Sequence, residues 1–169
     1  KKTASEKDKK SKDKKTSADK PRLFVFSFQG DIRASTVDTF TESINAILLT
    51  AEPGDEVLLC LESAGGMVHA YGLAAAQCQR LRDANLKLTI AVDKVAASGG
   101  YLMACVAHHI ICAPFAIIGS IGVLFQLPNF NRLLEQNNIE FEQLTAGKFK
   151  RTLTLLGKNT EQGREKMQE

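Results

Sequence analysis

The sequence predicts an α/β fold with a mainly parallel sheet. Short apolar runs alternate with stretches whose apolar residues recur at helical spacing, the pattern of βαβ crossovers. The apolar runs are bounded by Gly, Pro, Asp and Asn, which punctuate strands. The chain has 169 residues, 44% of them hydrophobic, enough for one domain with a real core.

The elements follow in order. PRLFVFSFQGDI, residues 21–32, alternates apolar and polar positions and breaks at Gly30, which reads as a strand. VDTFTESINAILLTA, 37–51, has helical spacing and stops before Pro53-Gly54. DEVLLCLES, 55–63, is an apolar run between turn residues, a buried strand. MVHAYGLAAAQCQRLRDAN, 67–85, is a long Ala-rich helix after Gly65-Gly66, and LKLTIAV, 86–92, is the third strand. Residues 98–108 read as a helix and HIICA, 109–113, as a short strand. AIIGSIGVLFQLP, 116–128, reads as strand or loop, NFNRLLEQNNI, 129–139, as helix, and IEFEQLTA, 139–146, as strand. A last helix opens at Thr160 and has barely begun at Glu169, with few apolar residues. Its partner surface is therefore expected further along the chain or in another subunit, and the domain is expected to be truncated at its C-terminus.

Charge divides the chain unevenly. Residues 1–20 hold nine Lys against four acidic residues, a balance of +5 within a total of +3, so the remainder carries the difference, −2. No large apolar residue precedes Leu23, so this segment cannot offset its ordering entropy and reads as a disordered, Lys-rich linker. It has no Arg and no aromatic for base stacking, which argues against a nucleic-acid partner. No apolar run reaches the roughly 18 residues of a spanning helix. The four cysteines, Cys60, Cys78, Cys105 and Cys112, form no CxxC pair and sit among apolar neighbours. Four reduced core thiols are expected, with no zinc and no other cofactor.

Three segments can carry chemistry. Ser98 lies in Ala96-Ala97-Ser98-Gly99-Gly100, where a strand meets a helix. A hydroxyl nucleophile needs a base, and a helix start with small neighbours favours developing negative charge. Glu62-Ser63-Ala64-Gly65-Gly66-Met67-Val68 also lies between strand and helix, so both segments fall at the carboxyl edge of a parallel sheet. A glycine there can aim a second N–H at the same oxyanion, and Met67-Val68 can pair with an extended peptide as an added strand. Ala146-Gly147-Lys148-Phe149-Lys150-Arg151-Thr152 offers lysines. A lysine acts as base only when neutral, which burial or adjacent cations favour; the same segment also reads as an ordinary basic surface loop. His69 is a second candidate base near the glycines, and His108-His109 reads as a cap on a helix end. These residues alone do not choose between His69 and Lys150.

ESAGGMVHAYGLA, DKVAASGGYLMACVA, APFAIIGSIGVL and TAGKFKRTLTLLGKNTEQGREK, in this order, resemble the signal-peptide-peptidase A family, in its SohB branch of bacterial membrane-associated serine peptidases. The resemblance spans residues 21–169. It implies a crotonase/Clp-protease-like spiral of βαβ units and a Ser-Lys dyad. By position, it makes Ser98 the nucleophile and Lys150 the general base, over His69. It matches the N–H groups of Gly66 and Gly99 to the oxyanion hole and Ser120 to a serine that orients the lysine. One position departs: Ala64 stands where the family usually has Pro before the glycine pair, and Pro would stiffen that loop.

The resemblance further implies an inner-membrane association through an N-terminal anchor ahead of residues 1–20, and homo-oligomers of ring or dome form. The Lys-rich linker points to the cytoplasmic face and the family to the periplasmic one, so the side stays open. The expected function is a serine endopeptidase cutting extended peptides such as signal-peptide remnants. Two alternatives share the fold: a crotonase-type enzyme holding an acyl-CoA thioester between two N–H groups, and an inactive scaffold.

Overall fold

The computed structural model describes residues 20–147 and 149–168. The predicted linker, residues 1–20, lies outside the described residues apart from Lys20. The chain divides into two compact units, one running to Val123 and one from Leu124 onward.

In the first unit, β1 (Leu23–Gly30) leads through α1 (Val37–Thr50) to β2 (Glu56–Ser63), and α2 (Val68–Asp83) leads to β3 (Lys87–Val92). Then come β4 (Val95–Ala97), α3 (Gly99–Cys105), β5 (His109–Cys112) and β6 (Ile117–Gly119). The sheet order is β5-β3-β2-β4-β6, with β1 on the other side of β2, and every pairing is parallel. β2 is central: it meets β1 along its length, β3 over Glu56–Cys60, and β4 at Ser63 opposite Ala96. One strand thus hands its neighbour from β3 to β4, which curls the sheet and gives the expected α/β spiral.

One sheet face is packed. Val57, Leu59 and Leu61 of β2 and Leu88, Ile90 and Val92 of β3 alternate into the core. α1 lays Phe40, Ile44 and Ile47 on it, and α2 lays Tyr71, Ala74, Ala75, Cys78 and Leu81 on it, both at 3–4-residue spacing. Phe40 stacks on Phe26 at 5.5 Å and meets Phe28 edge-on at 4.9 Å. Each buried Val, Leu, Ile or Phe among these gains about 1.5–3 kcal/mol from burial, and each alanine less.

The opposite face explains a correction to the cysteines. Only Cys78 is buried; Cys60, Cys105 and Cys112 are exposed. Cys60 sits at an odd pleat of β2, between buried Leu59 and Leu61, and so points away from the core. Burial pushes the Cys78 thiol up to about 12 and leaves it inert. His108 is a second correction. α3 ends at Cys105, and His108 joins β3 to β5 by accepting from the Leu88 N–H at Nδ1, 3.0 Å, while its own N–H donates to the Leu88 carbonyl. It caps no helix.

Asp55 ties the start of β1 to the start of β2. Its carboxylate accepts from Arg22 Nε at 3.0 Å, Arg22 Nη2 at 2.7 Å, and the backbone N–H groups of Arg22 and Glu52. The Arg22 guanidinium, helped by the two N–H groups, lowers its pKa to about 2. A carboxylate held below its unfolded value stabilises the fold above that unfolded value, near 3.9, and loses the effect as pH falls toward 2. Asp55→Asn is therefore expected to lower the melting midpoint at pH 7, with the two midpoints converging by about pH 2. Equal midpoints at pH 7 would sink the assignment.

The second unit contains α4 (Asn131–Gln136) and α5 (Glu161–Gln168). Asn129 Nδ2 donates to the carbonyls of Thr154 and Gly157, and Asn159 Oδ1 accepts from the Thr154 N–H, so side chains organise loops here. The strand predicted over 139–146 does not form among the described residues. Ile139 and Phe141 alternate with polar residues, but Leu144 falls out of that period, and no strand of the described residues pairs with this segment.

Candidate active site

Three loops leave the carboxyl ends of β1, β2 and β4, where Gly30 pairs with Ser63 and Ser63 with Ala96. Parallel strands bring their ends to one edge, and this edge is where the predicted residues gather.

Ser98 forms the turn between β4 and α3. It has φ 51° and ψ −118°, a conformation that costs a non-glycine residue on the order of 1–3 kcal/mol. The turn is held from outside. Ser98 N–H donates to the Gly119 carbonyl at 2.8 Å, and its carbonyl accepts from Leu102 N–H at 2.9 Å. Gly119 ends β6, so the strand preceding Ser120 fixes the serine's backbone. Ser120 itself is exposed, at φ 56°.

The Gly65-Gly66 loop lies directly against this turn. A Cβ on Gly65 would stand 2.6 Å from Gly99 N, 2.7 Å from Ser98 Cβ and 2.8 Å from the Ala97 carbonyl oxygen, and its φ is 86°. A Cβ on Gly66 would collide with the Ile32 backbone. Gly65 N–H donates to Ser63 Oγ at 3.0 Å. Among the described residues, the N–H groups of Gly66 and Gly99 have no hydrogen-bond acceptor. A cleft of about 330 Å³ opens at the same edge, lined by Gly30, Asp31, Glu62, Ser63, Ala64 and others. Glu62 pairs there with Lys94 at 3.1 Å. Hydrogen bonds from Ser35, chiefly its backbone N–H and then its hydroxyl, hold the Asp31 carboxyl below its usual pKa, so it remains an acceptor shaping its own turn.

The first unit therefore brings together Ser98, Gly99, Gly65 and Gly66. Lys150 belongs to the second unit, where it is exposed in a turn and its N–H meets the Gly147 carbonyl at 3.3 Å. Lys148 lies outside the described residues. His69 is exposed on the first turn of α2.

The strand pairing expected of Met67 and Val68 finds the Met67 backbone already occupied. Met67 N–H donates to the Ile32 carbonyl at 2.8 Å, and its carbonyl accepts from Ala70 and Tyr71. Val68 already begins α2. A helix start, not a strand, follows the glycines, and the bonds made there take up both Met67 backbone groups.

Gly99 and Gly100, the small residues after Ser98, leave room for other parts of the fold. Their Cβ directions are filled from within: Gly99 faces the Tyr71 ring and Gly100 the Ser63 carbonyl. Tyr71 is the residue that the sequence reading missed, hidden as one more core position of an Ala-rich helix.

Glycine substitutions separate these demands. Gly65→Ala is expected to destabilise the fold by about 2–4 kcal/mol, combining left-handed strain with the clash on the Ser98 turn. Gly72→Ala, on α2 with nothing within 4 Å of its Cβ, is expected to stabilise by about 0.5–1 kcal/mol. Chemical denaturation of both variants reads the contrast; the same sign for both would contradict the packing.

Comparison with known proteins places this arrangement. Residues 1–78 match the model of the peptidase family S49 N-terminal region, and residues 80–169 match that of peptidase family S49. A probable protease SohB of Buchnera aphidicola subsp. Schlechtendalia chinensis is 58% identical over 146 residues, 86% of this chain and 48% of that protein. The probable protease SohB of Haemophilus influenzae is 57% identical over 147 residues, 87% of this chain and 42% of that protein. The chain thus spans under half the length of these relatives. Among solved structures, a mutant of the 1510-N membrane-bound stomatin-specific protease superposes with a TM-score of 0.53 at 24% identity, over 65% of this chain and 52% of that one, and so shares the fold. With family models covering both halves of the chain and relatives of this identity, the chain belongs to peptidase family S49.

Proposed function

We propose that this chain carries the catalytic residues of a serine endopeptidase acting on extended peptides, such as signal-peptide remnants. The observation that carries the reading is the Ser98 turn: a strained serine between strand and helix, with the Gly66 and Gly99 N–H groups left without acceptors beside it. Such a conformation persists only where the surrounding structure holds it, and strain of this kind concentrates at functional sites.

Ser98 Oγ attacks the peptide carbonyl carbon while the neutral Lys150 amine takes the hydroxyl proton. The carbonyl oxygen becomes an oxyanion, which the Gly66 and Gly99 N–H groups stabilise. Collapse breaks the C–N bond, the leaving amine receives the proton from Lys150, and an acyl-enzyme remains. Water then adds to that ester by the same route and releases the acid and free Ser98. Ser120 orients the lysine amine; the family resemblance supports this role and that of Lys150.

Membrane association through a segment ahead of this chain, and homo-oligomers, belong to the same reading. No helix among the described residues is long and apolar enough to cross a membrane. Exposed Phe115, Ile117, Ile121, Val123, Leu124 and Phe125 support a packing partner. No nucleic-acid partner is proposed.

A serine-directed fluorophosphonate probe tests the reading. Covalent labelling that peptide substrate suppresses supports the peptidase. Failure to label, together with saturable binding of an acyl-CoA ester, supports a thioester-binding enzyme. Neither labelling nor binding supports an inactive scaffold.

A further inference from the structure

Ser63 and Tyr71 pack from within the fold against the Gly65-Gly66 loop and the turn at Gly99-Gly100. Both are buried. Tyr71 OH donates to the Asp31 carbonyl at 2.7 Å and meets Ser63 Oγ at 2.5 Å. Because the tyrosine proton goes to Asp31, Ser63 donates to Tyr71, and Ser63 Oγ in turn accepts the Gly65 N–H at 3.0 Å. The chain of bonds therefore runs Gly65 to Ser63 to Tyr71 to Asp31, with each proton directed.

The same two residues set the other loop by contact. A Cβ on Gly99 would strike the Tyr71 ring, and one on Gly100 would lie 2.5 Å from the Ser63 carbonyl oxygen. A Cβ on Gly30 would strike the Tyr71 hydroxyl and lie 2.7 Å from Ser63 Oγ. Glycines from β1, the β2–α2 loop and α3 thus close on one Ser-Tyr pair. Phe28 braces the Tyr71 ring edge-on at 6.4 Å.

We infer that Tyr71, acting through Ser63, is a positioning residue: it sets the Gly65-Gly66 loop and the Ser98-Gly99 turn in one frame, so that the Gly66 and Gly99 N–H groups point at one oxyanion. The inference rests on the peptidase reading of Ser98. A pair of donors aimed at one atom loses its effect when either shifts by a fraction of an ångström. Two loops on separate strands need a shared support, and this buried hydroxyl pair is in contact with both.

The test compares the parent with Tyr71→Phe and Ser63→Ala. Tyr71→Phe keeps the ring against Gly99 and removes only the hydroxyl. Expected is a kcat per titratable site lower by between about tenfold and about a hundredfold, with KM within about twofold. Sites are counted by fluorophosphonate end-point labelling, so a misfolded fraction does not register as slow chemistry. The double variant is expected to be no slower than Ser63→Ala alone, since the two hydroxyls act as one unit. Amide hydrogen exchange gives a reading free of catalysis. Tyr71→Phe is expected to speed exchange at Gly65 and Ser98 about tenfold or more while Leu59 and Ile90 keep the parent rate. Unchanged exchange at Gly65 and Ser98, or a uniform rise at all four, overturns the positioning role, as does an unchanged kcat. A parent chain that never takes the probe overturns the reading of Ser98 and the kinetic half of this proposal with it. The exchange rates then still decide whether Tyr71 couples the two loops.

Discussion

Ser98→Ala is expected to reduce peptide hydrolysis by about 10⁴-fold or more and to abolish fluorophosphonate labelling, with the fold intact. The size follows from the role: without a nucleophile, no acyl-enzyme forms, and only oriented water attack remains. The intact fold follows from the geometry. The contacts that hold the turn are backbone bonds to Gly119 and Leu102 and the approach of Gly65 to the Cβ, all of which alanine retains. Alanine also keeps the strain, because the φ of 51° disfavours any residue with a Cβ. Ser98→Gly supplies the complementary arm. It should be equally inactive, yet its melting midpoint should be higher than that of Ser98→Ala, because glycine adopts this conformation without penalty. Hydrolysis near the parent rate in either variant, with an unchanged circular dichroism spectrum, would remove Ser98 from the mechanism.

How the sequence announced this site, and what it concealed, follows from the range of each interaction. Strands β1, β2 and β3 and helices α1 and α2 were legible because their apolar periods are local and long. β4 was not: Val95-Ala96-Ala97 is too short to show a period, and it is a strand only because Ser63 and β6 flank it. The cysteine environments failed for a similar reason. Apolar neighbours in sequence place Cys60 on a strand, but the pleat decides its face, and the packed face belongs to Leu59 and Leu61. The small residues around Ser98 were legible as a cleared turn. What cleared it was not, since the Tyr71 ring that Gly99 accommodates comes from a different helix. A tyrosine one turn into an otherwise Ala-rich helix, directly after a glycine pair, is the signal that could have found it. The reading of Met67-Val68 failed because a helix start and a strand edge begin from the same extended residue. Only the following backbone bonds, from Ala70 and Tyr71 to Met67, tell them apart.

Lys150→Ala and Lys150→Arg are expected to be inactive to a similar degree, whereas Lys148→Ala should keep most of the activity. The arginine variant is the informative one. It preserves charge and length, so it satisfies any role in which the lysine merely binds an anion or shapes a surface. It fails only where a proton must be accepted, because a guanidinium stays protonated in proteins. Stability should be unaffected in both variants, since Lys150 is exposed and its backbone bond to Gly147 does not depend on the side chain. Activity retained in Lys150→Arg would exclude the general-base role, and loss in Lys148→Ala alone would move it two residues along the segment. Because Lys150 belongs to the second unit and Ser98 to the first, mixing the two inactive variants gives one more reading. Ser98→Ala subunits supply an intact Lys150, and Lys150→Ala subunits an intact Ser98. Activity regained on mixing requires the pair to form between neighbouring subunits, and it would establish the oligomer as the catalytic unit. Mixed oligomers, verified by mass, that remain inactive require the serine and lysine of one chain to act on each other.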